Sequence, residues 1–349
     1  MQNQTDLRKL IKRILKWALF AVGISVSVIS VIFFLNRDKL SFGFVLNMDY
    51  KIWYALFFMT FFAWFSKSLR LFTLLKAMDY PVMLRKSFMI SFSSEFAVAA
   101  TPSGFGGNVV QFAFLKKTGL TPSEIISVVA LENLIDIMIF VILFIPMFFV
   151  FFGNNLLNEF LGVAQTELII PGLLDHLGIA GLIVFFCVII LSIITLTFRS
   201  KLIAFFKRLN LLSELKKSFS CLEELFHKKK SALIAVSFFS FIQWICRYGI
   251  LPLIAYALGA DGSVFFLFLI QGIFISVGHM LFLPGGSGGV EIMASAMLAF
   301  FLPVQFIGVT VILWRFFTYY MYLLFGGVVF GISVHYFDSF PLKNNKAYL

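Results

Sequence analysis

Charge is scarce in this sequence. Asp, Glu, Lys and Arg together make up 13% of its 349 residues, against about 25% in typical soluble domains. With hydrophobic residues at 60%, that shortage excludes a soluble domain. At about 20 apolar residues per spanning helix, there is material for up to ~10 membrane crossings. Strict apolar/polar alternation is missing as well: the apolar runs are continuous, which excludes a porin-like barrel and leaves helices. Cysteine is nearly absent, and Cys187, Cys221 and Cys246 stand without CxxC spacing or a neighbouring His. Neither a disulfide framework nor a metal site is expected. There is no P-loop, dinucleotide fingerprint or HExxH, so no ATP hydrolysis is encoded. Gly285-x-Ser287-x-Gly289 imitates a hydrolase nucleophile turn, but no strand precedes it. The chain is expected not to be an enzyme, with no catalytic residues and no cofactor.

What the sequence does contain is aromatic mass, 18% of residues and 48 Phe, and a net charge of +11. A basic protein suggests nucleic acid, but the positions of the charges give another account. Arg8, Lys9, Lys12, Arg13 and Lys16 precede an apolar run from Trp17 to Leu35, too long for a signal peptide and without a small-x-small cleavage site. By the positive-inside rule this is a first spanning helix with its N-terminus in the cytoplasm. A second helix, about Ile52 to Leu75, returns to Lys76, Arg85 and Lys86. Ser87 to Ala100 is too short to cross ~30 Å of hydrocarbon. A Pro/Gly break at Pro102 to Gly107 follows, then a short arm from Asn108 to Leu115 ending at Lys116 and Lys117. This reads as a re-entrant hairpin. A long helix, about Ser123 to Phe152, leads to an outer loop, Gly153 to Leu177, that has acids but no Lys or Arg.

A fifth helix, Gly178 to Phe198, comes back to Arg199–Lys230, a segment with nine basic and three acidic residues. Leu202, Phe205, Phe206, Leu209 and Leu212 recur there at helical spacing. The pattern fits an amphipathic helix on the inner leaflet, or a merely solvated connector. Ser231 to Leu258, an arm from Val264 to Leu283, a second break at Pro284 to Gly289, a return arm from Val290 to Leu302 and a helix from Val304 to Tyr336 complete the chain. Both termini are expected in the cytoplasm. Nucleic acid is not needed to explain +11.

The two breaks share one spacing. Pro102-x-Gly104-x-Gly106-Gly107 recurs as Pro284-x-Gly286-x-Gly288-Gly289, and Trp64 and Lys67 recur as Trp244 and Arg247. The expected fold is an all-α polytopic membrane protein, a single transmembrane domain over residues 1–349. It is an inverted repeat (residues 17–152 and 178–336, with the basic connector 199–230), with about six spanning helices and two re-entrant broken hairpins. The hairpins would meet near the midplane. Their glycines either admit a ligand or serve close helix packing, and the arms beginning at Asn108 and Val290 would aim helix N-termini at an anion. Ionisable residues expected at membrane depth are Lys67, Arg70, Glu95, Glu132, Asp136, Arg247, His279, Glu291 and Arg315, each costly there without a partner. Glu132 and Asp136 share a helix face, and a pair from either to Arg315 is expected. Glu291 also suits the first turn of a helix dipole.

These residues carry a resemblance. The basic N-terminus, Arg70 in helix two, the first break followed by Glu132-x-x-x-Asp136, the basic central loop, the second break running into Glu291, and the late Arg315 resemble the lysylphosphatidylglycerol synthase transmembrane-region family. These are flippase-like membrane proteins, also represented by the N-terminal half of multiple peptide resistance factors. The resemblance implies translocation of a lipid or lipid-linked head group across the bacterial cytoplasmic membrane. The chain stops at Leu349, without the family's cytosolic aminoacyl-transferase domain, so aminoacylation of phosphatidylglycerol is not expected. Ser103 stands where the second break has Gly285, and no acid in the first break matches Glu291. The candidate lipid site is Arg70, Arg247 and Arg315 for phosphate, with Glu132, Asp136, Glu291, Asn108 and the Pro and Gly residues of both breaks. Expected partners are anionic membrane lipids, with a homo-oligomer or a lipid- or glycan-modifying enzyme as further partners. The alternative function is a non-transporting accessory that scaffolds such an enzyme through residues 199–230.

Overall fold

The structure, a computed structural model, describes residues 48–101, 104, 106–153, 211–259, 285, 286, 288–299 and 302–338, and isolated positions at 23, 27, 267, 268, 271, 272 and 275. The expected helices at 17–35 and 178–198, the outer loop, residues 199–210, and Pro102, Ser103, Pro284, Ser287 and His279 lie outside the described residues, as does most of the arm 264–283.

The described elements are helices: α1 (Tyr50–Ala77), α2 (Leu84–Ala100), α3 (Gly106–Lys117), α4 (Pro122–Gly153), α5 (Leu211–Lys228), α6 (Lys230–Ala257), α7 (Gly289–Leu298), α8 (Val304–Arg315) and α9 (Met321–Asp338). A π-helical turn, Phe316–Tyr320, joins α8 to α9. Four spans are long and apolar enough to cross a membrane: Tyr50–Ala77, Pro122–Ile142, Lys230–Ala257 and Val304–Phe337. They are the four of the six expected crossings that fall on described residues. Each turns large apolar side chains outward, for example Phe58 on α1, Ile142 on α4, Ile234 on α6 and Val328 on α9. In water such faces would mark interfaces; on a membrane span they are the lipid-facing surface.

Local chemistry sets the helix ends. Pro122 occupies the first turn of α4, where its missing N–H costs nothing. Ahead of it Thr121 and Glu124 form a capping box, with Thr121 N–H donating to Glu124 Oε2 at 2.8 Å and Glu124 N–H reaching Thr121 Oγ1 at 3.4 Å. The α2–α3 pair is a tight antiparallel hairpin. A Cβ on Gly107 would lie 2.3 Å from Cγ2 of Val98 and 3.2 Å from the Ser94 carbonyl, and Ser94 Oγ donates to the Gly107 carbonyl at 3.1 Å. At 17 and 12 residues, its arms are about 25 and 18 Å long.

Helices α1 and α6 form the central pair and run antiparallel. Met59 meets Gly249 while Arg70, further along α1, bonds Ser240, earlier on α6. Small residues allow such close approach, which in lipid is the main source of helix cohesion. Around the pair, Trp64 packs edge-on against Phe92 and Tyr322 at 4.9 and 4.7 Å between ring centres. On the far side of the hairpin, Phe96 packs on Phe330 and Phe114 stacks on Phe337. Helix α9 therefore seals α2 and α3 as α6 seals α1. Helix α5, within the basic connector, is seated on the start of α4 by crossed hydroxyls: Ser127 Oγ to the Ser218 carbonyl (3.1 Å) and Ser218 Oγ to the Ser123 carbonyl (2.8 Å). Its Leu225 is buried, while Lys216, Lys217, Phe219 and Glu224 are exposed.

A candidate anion site between the two breaks

Among the described residues, three charged clusters occupy the interior of the bundle. In the first, Arg70 on α1 donates through Nε to Glu132 Oε1 (3.1 Å) and through Nη1 to Asp136 Oδ1 (2.6 Å) and Ser240 Oγ (2.9 Å). Gln111 Nε2 donates to Glu132 Oε2 at 2.5 Å and Trp244 Nε1 to Asp136 Oδ1 at 2.9 Å. The cluster ties α1, α3, α4 and α6 together. Glu132 and Asp136 do face one way, as their spacing predicts, but their cation is Arg70 and not the expected Arg315. Arg315 has a nearer acid, Glu291 on the helix that precedes it.

That pair is the second cluster. Arg315 Nε donates to Glu291 Oε1 at 2.8 Å and Nη2 to the Gly285 carbonyl at 3.0 Å. Its guanidinium lies 4.3 Å from the ring centre of Tyr319, a cation–π contact. Tyr319 lies within the π-helical turn; such turns often accompany functional sites. Glu291 Oε2 also accepts the Gly288 N–H at 2.7 Å, which closes the N-terminus of α7. In the first break the Gly106 N–H donates to Thr101 Oγ1 at 2.8 Å. The leading amides expected to face an external anion are thus held by the chain's own oxygens. Asn108 is exposed, and Gly106 and Gly107 pack on α2. Gly285, at φ +57, lies where a Cβ would be 2.0 Å from the Tyr319 ring; Gly286 and Gly288 also have positive φ, which favours glycine at both.

The third cluster joins Arg247, a candidate site residue, to Lys67 and Glu95, which sequence reasoning had noted at depth but left outside the site. Glu95 of α2 pairs through Oε1 with Lys67 of α1 and through Oε2 with Arg247 Nη1 of α6 at 3.2 Å. The Arg247 guanidinium lies 4.9 Å from the Tyr322 ring centre and 5.8 Å from that of Trp244.

The second and third clusters share a cavity of about 40 Å³. Room for one water takes about 10–15 Å³ on this measure, so the space holds about three waters, on the scale of a phosphate group. Its walls include Glu95, Val98 and Ala99 from the arm before the first break, Gly285 from the second break, and Arg247, Arg315, Tyr319 and Tyr322. The cavity thus lies between the end of α2 and Gly285 of the second break; the described residues of the first break, Gly104, Gly106 and Gly107, do not line it. Arg70, Glu132 and Asp136 do not line it. Among the described residues no group of His, Cys, Asp and Glu is arranged to hold a metal ion.

Comparison with known proteins agrees with this architecture. Residues 15–326 match the family described as the lysylphosphatidylglycerol synthase TM region. The chain belongs to that family. It is also similar to a UPF0104 membrane protein of Archaeoglobus fulgidus, 23% identical over 323 residues, which covers 91% of this chain and 96% of that one. This member of the lysylphosphatidylglycerol synthase transmembrane-region family is an integral membrane protein, with helices and no strands among its described residues.

Sequence reasoning missed Gln111, Ser240, Trp244, Tyr319 and Tyr322. Gln111 and Ser240 could have been found as uncharged polar residues inside apolar helices, which hydrogen-bond between helices. Tyr319 and Tyr322 follow Arg315 by four and seven residues, the spacing of one helix face.

Proposed function

We propose that the protein moves an anionic phospholipid, or a lipid-linked phosphorylated head group, across the cytoplasmic membrane. Both termini lie on the cytoplasmic side, and the chain does no chemistry of its own on the lipid. The observation that carries this reading is the cavity between the end of α2 and the second break: two guanidiniums, Arg247 and Arg315, face a phosphate-sized space held within a bundle of membrane spans. Intramembrane cations are costly, and where they border a polar cavity they mark a ligand path. Between α2 and α9 runs an apolar groove of about 220 Å³ with Arg85 among its residues, suited to an acyl chain that stays in the bilayer while the head group crosses.

An inverted repeat accounts for the frame. Helix starts at Tyr50, Gly106 and Pro122 are followed by starts at Lys230, Gly289 and Val304, offsets of 180, 183 and 182 residues. The equivalent helices α1 and α6 run antiparallel, as a two-fold axis in the membrane plane requires, and this relation is the basis of alternating access in many transporters. Six crossings and two re-entrant hairpins complete the arrangement.

The test is reconstitution in vesicles with a fluorescent phosphatidylglycerol, reading transfer between leaflets by loss of inner-leaflet protection from an impermeant quencher. Wild-type protein should accelerate transfer. Arg247→Ala should return it to the empty-vesicle rate while circular dichroism stays helical. Wild-type vesicles indistinguishable from empty ones would overturn the reading.

A further inference from the structure

The charges bordering the cavity do not cancel. Arg315 and Glu291 are a neutral pair, but Lys67 and Arg247 share the single carboxylate of Glu95, one oxygen each. Glu95 is buried, with 7% of its side chain exposed, and Lys67 and Arg247 are at 13% and 21%. Among the described residues the pair of cations therefore has one positive charge more than the single carboxylate beside it, and its more accessible member, Arg247, faces the cavity. Behind Trp244 the balance is reversed. Arg70 faces two carboxylates, Glu132 and Asp136, leaving one negative charge. The indole joins the two regions, donating its N–H to Asp136 while its ring lies against Arg247.

Building on the lipid-translocation reading, we infer that the cavity selects a head group with one net negative charge, a phosphodiester without a compensating amine, and that Lys67 sets this selection. One anionic charge balances the excess beside Glu95. A zwitterionic head group brings no net charge and leaves the excess in place. A phosphomonoester, at −1.5 to −2 near pH 7 as phosphoryl groups are, brings a second negative charge toward the Asp136 side, where it is repelled. Lys67 does not line the cavity. It acts by occupying Oε1 of Glu95, so that Glu95 cannot wholly neutralise Arg247. Replacing Lys67 with a neutral side chain leaves Glu95 and Arg247 matched one to one, a balanced pair that the fold tolerates.

The experiment compares phosphatidylglycerol, phosphatidylcholine and phosphatidic acid of identical labelled acyl chains in the vesicle assay, at pH 7.5. Wild-type protein should move phosphatidylglycerol about tenfold faster than either of the others, the scale of one charge interaction in a site of intermediate polarity. Lys67→Met should reduce phosphatidylglycerol transfer about tenfold and leave phosphatidylcholine unchanged, and Lys67→Arg should restore the preference. Asp136→Asn should raise phosphatidic acid selectively. Equal transfer of all three lipids by wild type, or a Lys67→Met variant with an unaltered preference, overturns the inference and leaves lipid translocation standing. Native mass spectrometry of the purified protein supplies the second readout. If no lipid moves in any arm, translocation fails, and retention of phosphatidylglycerol by wild type but not by Lys67→Met then upholds the charge selection as a binding property. Retention without that difference overturns it.

Discussion

Glu291 carries two duties in one side chain, and removing it separates stability from transport. Its carboxylate neutralises Arg315 through Oε1 and caps α7 through Oε2, at 2.8 and 2.7 Å, with 1% of the side chain exposed. In Glu291→Ala the guanidinium keeps the Gly285 carbonyl and the Tyr319 ring, but both are present in wild type and offset nothing new. An uncompensated buried charge left by deleting its partner costs about 3–5 kcal/mol, and loss of the cap adds about 1 kcal/mol. Replacing both ionised groups with apolar ones is far milder, because the desolvation of the pair disappears with it. The double variant Glu291→Ala/Arg315→Met should therefore be more stable than Glu291→Ala alone. Glu291→Gln, which keeps an acceptor oxygen for one of the two N–H groups and turns an amide N–H2 toward the other, should fall between Glu291→Ala and wild type. The assay is SDS-driven unfolding in mixed micelles, followed by the fluorescence of buried Trp314 among the chain's five tryptophans, with a double-variant cycle to extract the coupling. A Glu291→Ala cost below about 1 kcal/mol, or a double variant whose loss equals the sum of the singles, would refute the pairing.

Other parts of the molecule give sharper, smaller tests. Gly285→Ala would place a Cβ 2.0 Å from the Tyr319 ring at a φ of +57; it should destabilise the protein by about 1–3 kcal/mol, and Tyr319→Ala in the same chain should relieve part of the loss. Outside the spans, Tyr80 donates to Glu124 at 2.7 Å, and burial, then that bond and the Glu124 charge, raise its phenol above the ordinary 10.0. Since the folded state holds this proton more tightly than the unfolded one, the contribution is full below about pH 10 and declines as pH rises further. Tyr80→Phe should accordingly show less loss of stability than wild type between pH 9 and 11 in the same unfolding assay. For the repeat, single cysteines at Lys116 and Glu167 in a chain without its native cysteines should label from the cytoplasmic and outer faces respectively; labelling from one face would remove the inversion.

The helices were legible because length and hydropathy are local. The expected Ile52 to Leu75 and Ser231 to Leu258 differ from Tyr50–Ala77 and Lys230–Ala257 by at most two residues at either end. The breaks were legible through composition: Pro and repeated Gly cannot continue a helix. Their function was only half legible. The same glycines permit ligand approach and close packing, and only tertiary contacts show that Gly107 lies against Val98 and Gly285 against Tyr319. The π-helical turn left no sequence signal, since Phe316–Tyr320 is an ordinary apolar stretch whose altered register follows from packing.

Ion pairing was the least legible property, and the reason is geometric. The four-residue spacing of Glu132 and Asp136 determines that they face together, but not which of four intramembrane cations they face. The depth of Arg315 along its helix suggested a partner across the repeat axis. The structure gives it Glu291, which is both closer in the chain and already anchored by Gly288. Arg70 then takes Glu132 and Asp136 of α4, and Glu95 is left to serve two cations. The uneven distribution follows from one capping residue in the second break that the first break lacks. A single acid that follows only one of two breaks of like spacing changes which charges are left over, and here that remainder lies beside the cavity.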